Sequence, residues 1–331
     1  MTLFLHGLGH FHPENEITNA FLEELDIGTN DAWILERVGI RSRRTTLPLD
    51  YIRTTRNRDT RAAQEATLYS SAEAGRRAGA MALARARIVP ADVGMVIAGS
   101  SVTDSATPAE ACNIARLLGI EAAAFDVNSA CTSFFAQLHL VSLMRPEALP
   151  PFVLLVVSEA VTRVVDYTDR ASAVLWGDGA IAAVVSTREP GRARVARTTM
   201  TSSPEGAERV VVPRLGHFHQ DGRVVQMFAI RKTSQLLDQL REGRADAARG
   251  FHFVGHQANQ RMLEAVCRQS AIPDARHHSN VEWFGNTAGA GAPSVLSMRW
   301  EEWTAADDVA VVGVGAGLTW ASHLVSFEAA A

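Results

Sequence analysis

The chain has 331 residues, 47% apolar and 21% charged, a balance that supplies a sizeable core and excludes a disordered or collagen-like polymer. Lys+Arg 32 against Asp+Glu 36 leaves a formal charge of −4, too small and of the wrong sign to coat nucleic acid. Three cysteines are an odd number in a long chain and argue against a disulfide scaffold. The opening MTLFLHGLGHFHPENE has neither the basic nor the apolar region of a secretion signal. The longest apolar runs, such as FVLLVV at 152–157, have the length of a strand, well short of the roughly 20 residues of a membrane span. The expectation is a cytoplasmic, soluble protein of two domain-sized parts, with no membrane or nucleic-acid partner.

Taken in order, TLFLHGLGHF reads as a strand, 60–86 as one alanine-rich amphipathic helix, and VGMVIAGS at 93–100 as a buried strand. ATPAEACNIARLLGI carries a proline near a helix start and a glycine near its end. EAAAFDV at 121–127 is a short strand, and CTSFFAQLHLVSLM a helix beginning at residue 131. PFVLLVVSEA and AIAAVVS close a first half at residue 187. The second half, 188–331, repeats the pattern: a strand near 193–200, a long helix near 227–246, the strand FHFVG, a helix from 259 and another after GNTAGAGAP. VAVVGVG and LTWASHLVSF, separated by a glycine-bearing turn, end it as a hairpin. Alternation of strands and helices throughout makes this an α/β protein.

Cys131 follows a buried strand and small residues at the start of a helix, where the positive end of the helix dipole favours a thiolate. It is therefore the candidate nucleophile; Cys112 and Cys267 read as ordinary core cysteines. His256 leaves the strand FHFVG at its C-terminal edge, where α/β proteins build sites. Asn286 stands in the small-residue turn GNTAGAGAP before a helix. A cysteine nucleophile with neutral histidine and asparagine as donors suits thioester chemistry, because the donors polarise a carbonyl whose charge grows during reaction. Papain-like proteases share the order Cys, His, Asn, but the segment here reads SACTSF rather than their signature around the cysteine. His217, His219, His277 and His278 complete no recognised metal-binding spacing and read as loop surface, so no metal is expected.

The blocks WILERVGIRSRR, DVNSACTSF, TDRASAVLWGDGA, GHQANQRM, GNTAGAGAP and GVGAGLTW, in order between residues 3 and 327, resemble the β-ketoacyl-acyl-carrier-protein synthase III branch of the thiolase superfamily. That resemblance implies a five-layered αβαβα thiolase fold, two internally related halves (1–187 and 188–331) and a homodimer. It implies acylation of Cys131 by acyl-CoA, then decarboxylative condensation with malonyl on acyl carrier protein, the thioester carbonyl held by His256 and Asn286. The amides of Cys131 and Ala316 correspond to the oxyanion hole, and Thr29, Trp33, Arg37, Arg163, Asn259 and Arg261 to coenzyme A contacts. No permanently bound cofactor is implied. Arg261 and Arg268 suggest a carrier-protein patch, and Thr107 stands where a phenylalanine often walls the acyl pocket. Gln226 and Met227 depart from the aromatic and basic residues usual at the tunnel. Two other functions stay open: an acyltransferase of the same branch that passes the acyl group to an alcohol or amine, and a non-catalytic partner subunit, against which the intact Cys131, His256 and Asn286 count.

Overall fold

Apolar alternation in Leu3–Phe11 makes the first strand, β1. The computed structural model describes residues 2–329. After β1 come α1 (Asp31–Arg37), α2 (Ser71–Ala86), β2 (Val93–Gly99), α3 (Glu110–Leu118), β3 (Ala123–Asp126), α4 (Ser133–Leu143), β4 (Phe152–Glu159) and β5 (Gly179–Ser186). The second half follows with β6 (Ala193–Ser202), α5 (Gly222–Glu242), β7 (Gly250–Gly255), α6 (Gln260–Gln269), α7 (Gly291–Met298), β8 (Asp307–Gly315) and β9 (Thr319–Phe327).

These nine strands join in the order β7-β8-β9-β6-β1-β5-β4-β2-β3. Outward from the β1–β6 seam, both halves pair their strands antiparallel, antiparallel, then parallel. The order of helices and strands along the chain is likewise repeated, except that α1 has no counterpart in the second half and β3 is matched there only by a parallel bridge from Phe253 to His277. At the seam, only Leu3–Leu5 and Ala193–Val195 pair. Beyond it α4 touches β2 and β4 on one side and β6 and β9 on the other, while α7 touches β1, β5, β7 and β8. The outer faces carry α2 with α3 and α5 with α6. The packing is therefore helix, sheet, helix, sheet, helix, the five-layered order expected.

Three apolar clusters fill the gaps between layers. Phe134, Phe135 and Leu138 of α4 meet Val295 and Leu296 of α7 in the middle; Ala78, Ala82 and Ile114 pack on Val96, Leu154 and Val184; Leu237, Leu240 and Leu263 lie in the cluster that contains Val312. The glycines of HGLGH have a packing reason. A Cβ at Gly9 would sit 2.1 Å from the Ala78 carbonyl oxygen, so the strand can meet the alanine face of α2 backbone to backbone.

Some boundaries differ from the sequence expectation. Residues 60–86 form two helices, Thr60–Ala66 and α2, because Thr67 is extended and the Ser70 hydroxyl caps α2 by accepting from Glu73 N–H. The long helix begins at Gly222, capped by Asp221, and the helix expected at 131 begins at Ser133 after a 3-10 turn, Ala130–Thr132. Among the described residues no helix is long and apolar enough to cross a membrane.

Candidate active site

A short hydrogen-bonded turn presents Cys131. Asn128 Oδ1 accepts from Ala130 N–H at 2.9 Å, and Ser133 Oγ accepts from Ser129 N–H at 2.8 Å while donating to the Ala130 carbonyl at 2.8 Å. Ala130 itself takes φ +47, an uncommon conformation for a residue with a side chain. The turn holds the cysteine 8% exposed. Burial, with the nearby Glu159 carboxyl adding to it, pushes the thiol up to about 12. Removal from water thus outweighs both the help of the cysteine's own N–H and the helix start that favours a thiolate, so Cys131 holds its proton as the thiol.

His256 follows β7, the edge strand, and is 7% exposed. Burial pulls its imidazole down to about 4, so it is neutral at physiological pH and offers one N–H. The neighbouring Gln257 side chain donates to Gly255 O and accepts from Asn280 and Val281 N–H, tying this strand end to the segment before Asn286. Asn286 is fixed through its backbone to Leu175 O and Gly177 N. Its Oδ1 accepts from Ala288 N–H at 3.0 Å, which leaves the Nδ2 amide to donate elsewhere.

Cys131, His256 and Asn286 line one cavity of about 370 Å³, together with Gly315 and Ala316 of the β8–β9 turn. The same cavity reaches Trp33, Arg37 and Asn259. Trp33 is half-buried between two guanidinium groups, Arg170 at 4.9 Å and Arg37 at 6.0 Å from its ring centroid. Arg170, anchored by a 2.6 Å bond to Gly28 O, was missed in the sequence, although it stands inside the TDRASAVLWGDGA block. A flat aromatic ring with arginine beside it is a combination that stacks a purine and binds phosphate.

The remaining expected residues divide. Gln226 lines the cavity, and Met227 beside it is 65% exposed. Asn259 Oδ1 caps α6 through Met262 N–H, while exposed Arg261 donates to the Leu35 and Glu36 carbonyls at the end of α1 and pairs with Glu264. Thr29 is partly buried, and Arg268 and Thr107 are exposed; none of the three lines this cavity. Arg163 is a correction. Its side chain is 2% exposed and its two terminal nitrogens donate to Asp104, Ser71 Oγ and Val102 O, away from the cavity, so it braces the fold. Cys112 is exposed, not core. Of the four histidines read as loop surface, His219 is exposed, but His278 is buried against His252 at 2.8 Å and half-buried His217 bonds Asn57 O. Sequence reasoning also passed over Glu159, a carboxyl at the end of the buried strand β4 whose position beside Cys131 only the fold reveals.

Two family models match the chain: 3-oxoacyl-[acyl-carrier-protein] synthase III over residues 125–204 and the C-terminal part of the same family over residues 251–327. The β-ketoacyl-[acyl-carrier-protein] synthase III of Oceanobacillus iheyensis is 31% identical over 97% of both chains. Among solved structures, the 3-oxoacyl-(acyl carrier protein) synthase III of Pseudomonas aeruginosa superposes with TM-score 0.85 at 29% identity over the whole of both chains. The priming β-ketosynthase of the R1128 polyketide pathway matches at TM-score 0.81 and 26% identity, over 99% of this chain and 97% of that one.

Proposed function

The chain belongs to the 3-oxoacyl-(acyl-carrier-protein) synthase III family of condensing acyltransferases, and from that premise we propose a two-stage reaction on Cys131. In the first stage Cys131 Sγ attacks an acyl-CoA thioester. A carbon–sulfur bond forms to the cysteine, the bond to coenzyme A breaks, and the thiol proton leaves with the released coenzyme. The amides of Cys131 and Ala316 receive the oxyanion. Trp33, Arg37 and Arg170 hold the nucleotide end, replacing Arg163 in that role, with Thr29, Asn259 and Arg261 along the arm. In the second stage a malonyl thioester loses carbon dioxide. His256 N–H and Asn286 Nδ2–H stabilise the enolate oxygen, and the enolate carbon attacks the acyl-cysteine, forming the carbon–carbon bond and expelling Cys131 as a thiolate, which takes a proton from solvent to return to the thiol. No resident cofactor enters this scheme. The carrier of the malonyl group docks on the side of Arg261 and Arg268, the enzyme works as a homodimer in which Thr107 reaches across to the acyl pocket of the other copy, and the two chain halves, 1–187 and 188–331, supply the cysteine and the histidine–asparagine pair.

The observation that carries this reading is the convergence of Cys131, His256 and Asn286 on one cavity from three separate segments. A second reading, acyl transfer from Cys131 to an alcohol or amine, is favoured by Gln226 in the cavity wall and by exposed Met227 next to it in the chain, where an unusual acceptor would be recognised. Intact-protein mass spectrometry after incubation with a panel of acyl-CoAs tests both. An acyl mass gain lost in Cys131→Ala is expected, followed by carbon dioxide release with malonyl-carrier protein. Discharge by an alcohol or amine without carbon dioxide would replace condensation with simple transfer, and no mass gain from any donor would reject both.

A further inference from the structure

Glu159 is 2% exposed and belongs to none of the steps above. It closes β4, close enough for its charge to act on Cys131. Its Oε2 accepts from Ser101 N–H at 2.8 Å, and its Oε1 accepts from the Ser101 hydroxyl at 3.2 Å and from Gly289 N–H at 3.4 Å. Gly289 lies three residues past Asn286, in the turn Ala288–Ala290 whose first N–H is capped by the Asn286 side chain. A Cβ on Gly289 would stand 3.0 Å from the Ala130 carbonyl and 3.1 Å from Glu159 Oε1. The carboxyl thus ties the turn carrying Asn286 to the segment after β2 at Ser101, and at Gly289 that same turn packs against the Ala130 carbonyl of the turn carrying Cys131.

We propose that Glu159 is a positioning residue that fastens the Asn286 turn against the Cys131 turn and, by its charge, sets how readily the cysteine ionises. This rests on the reaction assigned above, and it goes beyond it by adding a fourth group that touches neither substrate nor leaving group. Burial raises the Glu159 carboxyl to about 8, with Asp178 at the head of β5 contributing, so the group is mostly neutral at pH 7. Cys131 and Asp178 are the titratable groups that act on it. Above pH 8 the carboxylate forms beside Cys131 and opposes the thiolate, because two like charges in a dry site repel.

Three chains are compared: the parent, Glu159→Gln, which keeps an acceptor and cannot ionise, and Glu159→Ala, which removes the fastening. The first readout is the rate of Cys131 alkylation by iodoacetamide between pH 6 and 10, followed by mass with Cys131→Ala subtracting Cys112 and Cys267. It needs no acyl donor and so stands even where the acyl chemistry fails. The parent rate is expected to rise less steeply above pH 8 than that of Glu159→Gln, by about threefold or more at pH 10. The second readout separates the half-reactions. Glu159→Ala is expected to slow malonyl decarboxylation tenfold or more while slowing acylation less, with Glu159→Gln restoring decarboxylation near pH 7. Superimposable alkylation profiles for parent and Glu159→Gln would overturn the charge role. Equal losses in both half-reactions, or no loss, would overturn the fastening. If the parent accepts no acyl group while its alkylation profile separates from that of Glu159→Gln, the reaction assignment falls and the electrostatic role stands.

Discussion

Asn286 offers its Nδ2 amide because Ala288 N–H occupies the other end of the side chain. Asn286→Asp replaces that donor by an acceptor, and the loss of one such donor costs about 10²–10³ in rate. Decarboxylation is expected to fall by that factor, with acylation of Cys131 affected far less, when the two half-reactions are timed separately. The two arginines make a contrasting pair. Arg170→Ala is expected to raise the KM for acyl-CoA by roughly five- to tenfold at nearly constant kcat, the size of effect that follows from losing about 1 kcal/mol of cation–π and phosphate contact. Arg163→Ala is expected to leave that KM unchanged and to lower stability by about 3 kcal/mol in urea unfolding, since it breaks a largely buried pair with Asp104. The place of Cys131 before a helix could be read from NSACTSF, but the burial that keeps its thiol protonated depends on β4 and the β8–β9 turn, which only the fold brings there.

At the scale of elements, the strands of the sheet were legible because period-two or continuous apolar runs bounded by glycine, proline and polar residues survive any arrangement of their neighbours. Short helices were not. Asp31–Arg37 carries Trp33 and Arg37, yet its seven residues are too few for a periodic signal, and it is held by the Asn30 cap and by Arg261 on its last carbonyls. The contact of β1 with α2 is a similar case, since alternate glycines in HGLGH say only that something comes close. Gly9→Ala would drive a methyl into the Ala78 carbonyl. A loss of about 1–3 kcal/mol, the usual cost of overpacking, is expected in the urea midpoint at unchanged m-value.

Over the whole molecule, burial sets the response to acid. Eight histidines, His6, His10, His12, His252, His256, His277, His278 and His323, have their protonation suppressed, chiefly by desolvation. Their unfolded value is 6.5, and His256 falls to about 4 and His323 to about 3. Between those limits the unfolded chain binds more protons, so stability is full above pH 6.5 and is lost as pH falls. Glu110, Glu159 and Asp178 are shifted upward and act in the opposite sense over pH 4.5–8. Because the histidines outnumber them, the Tm is expected to drop steadily from pH 6.5 to pH 4.5, with net proton uptake on unfolding. A flat Tm over that interval would contradict the buried, neutral state of these rings.

The sequence by itself determined the order of the elements and, through the resemblance of its motif blocks, the branch of condensing enzymes; it singled out Cys131, His256 and Asn286 as candidates from local turn chemistry: a small-residue approach to Cys131, a strand end before His256, a glycine-rich turn around Asn286. Only the tertiary structure decided which arginine reaches the Trp33 ring, where Glu159 lies and how the thiol is stored. Arg163 and Arg170 are seven residues apart in one connection, and nothing local separates an arginine that meets Asp104 from one that meets Trp33. Those outcomes turn on desolvation and on distances between segments tens to more than a hundred residues apart, quantities that exist only once the two halves have closed around α4 and α7.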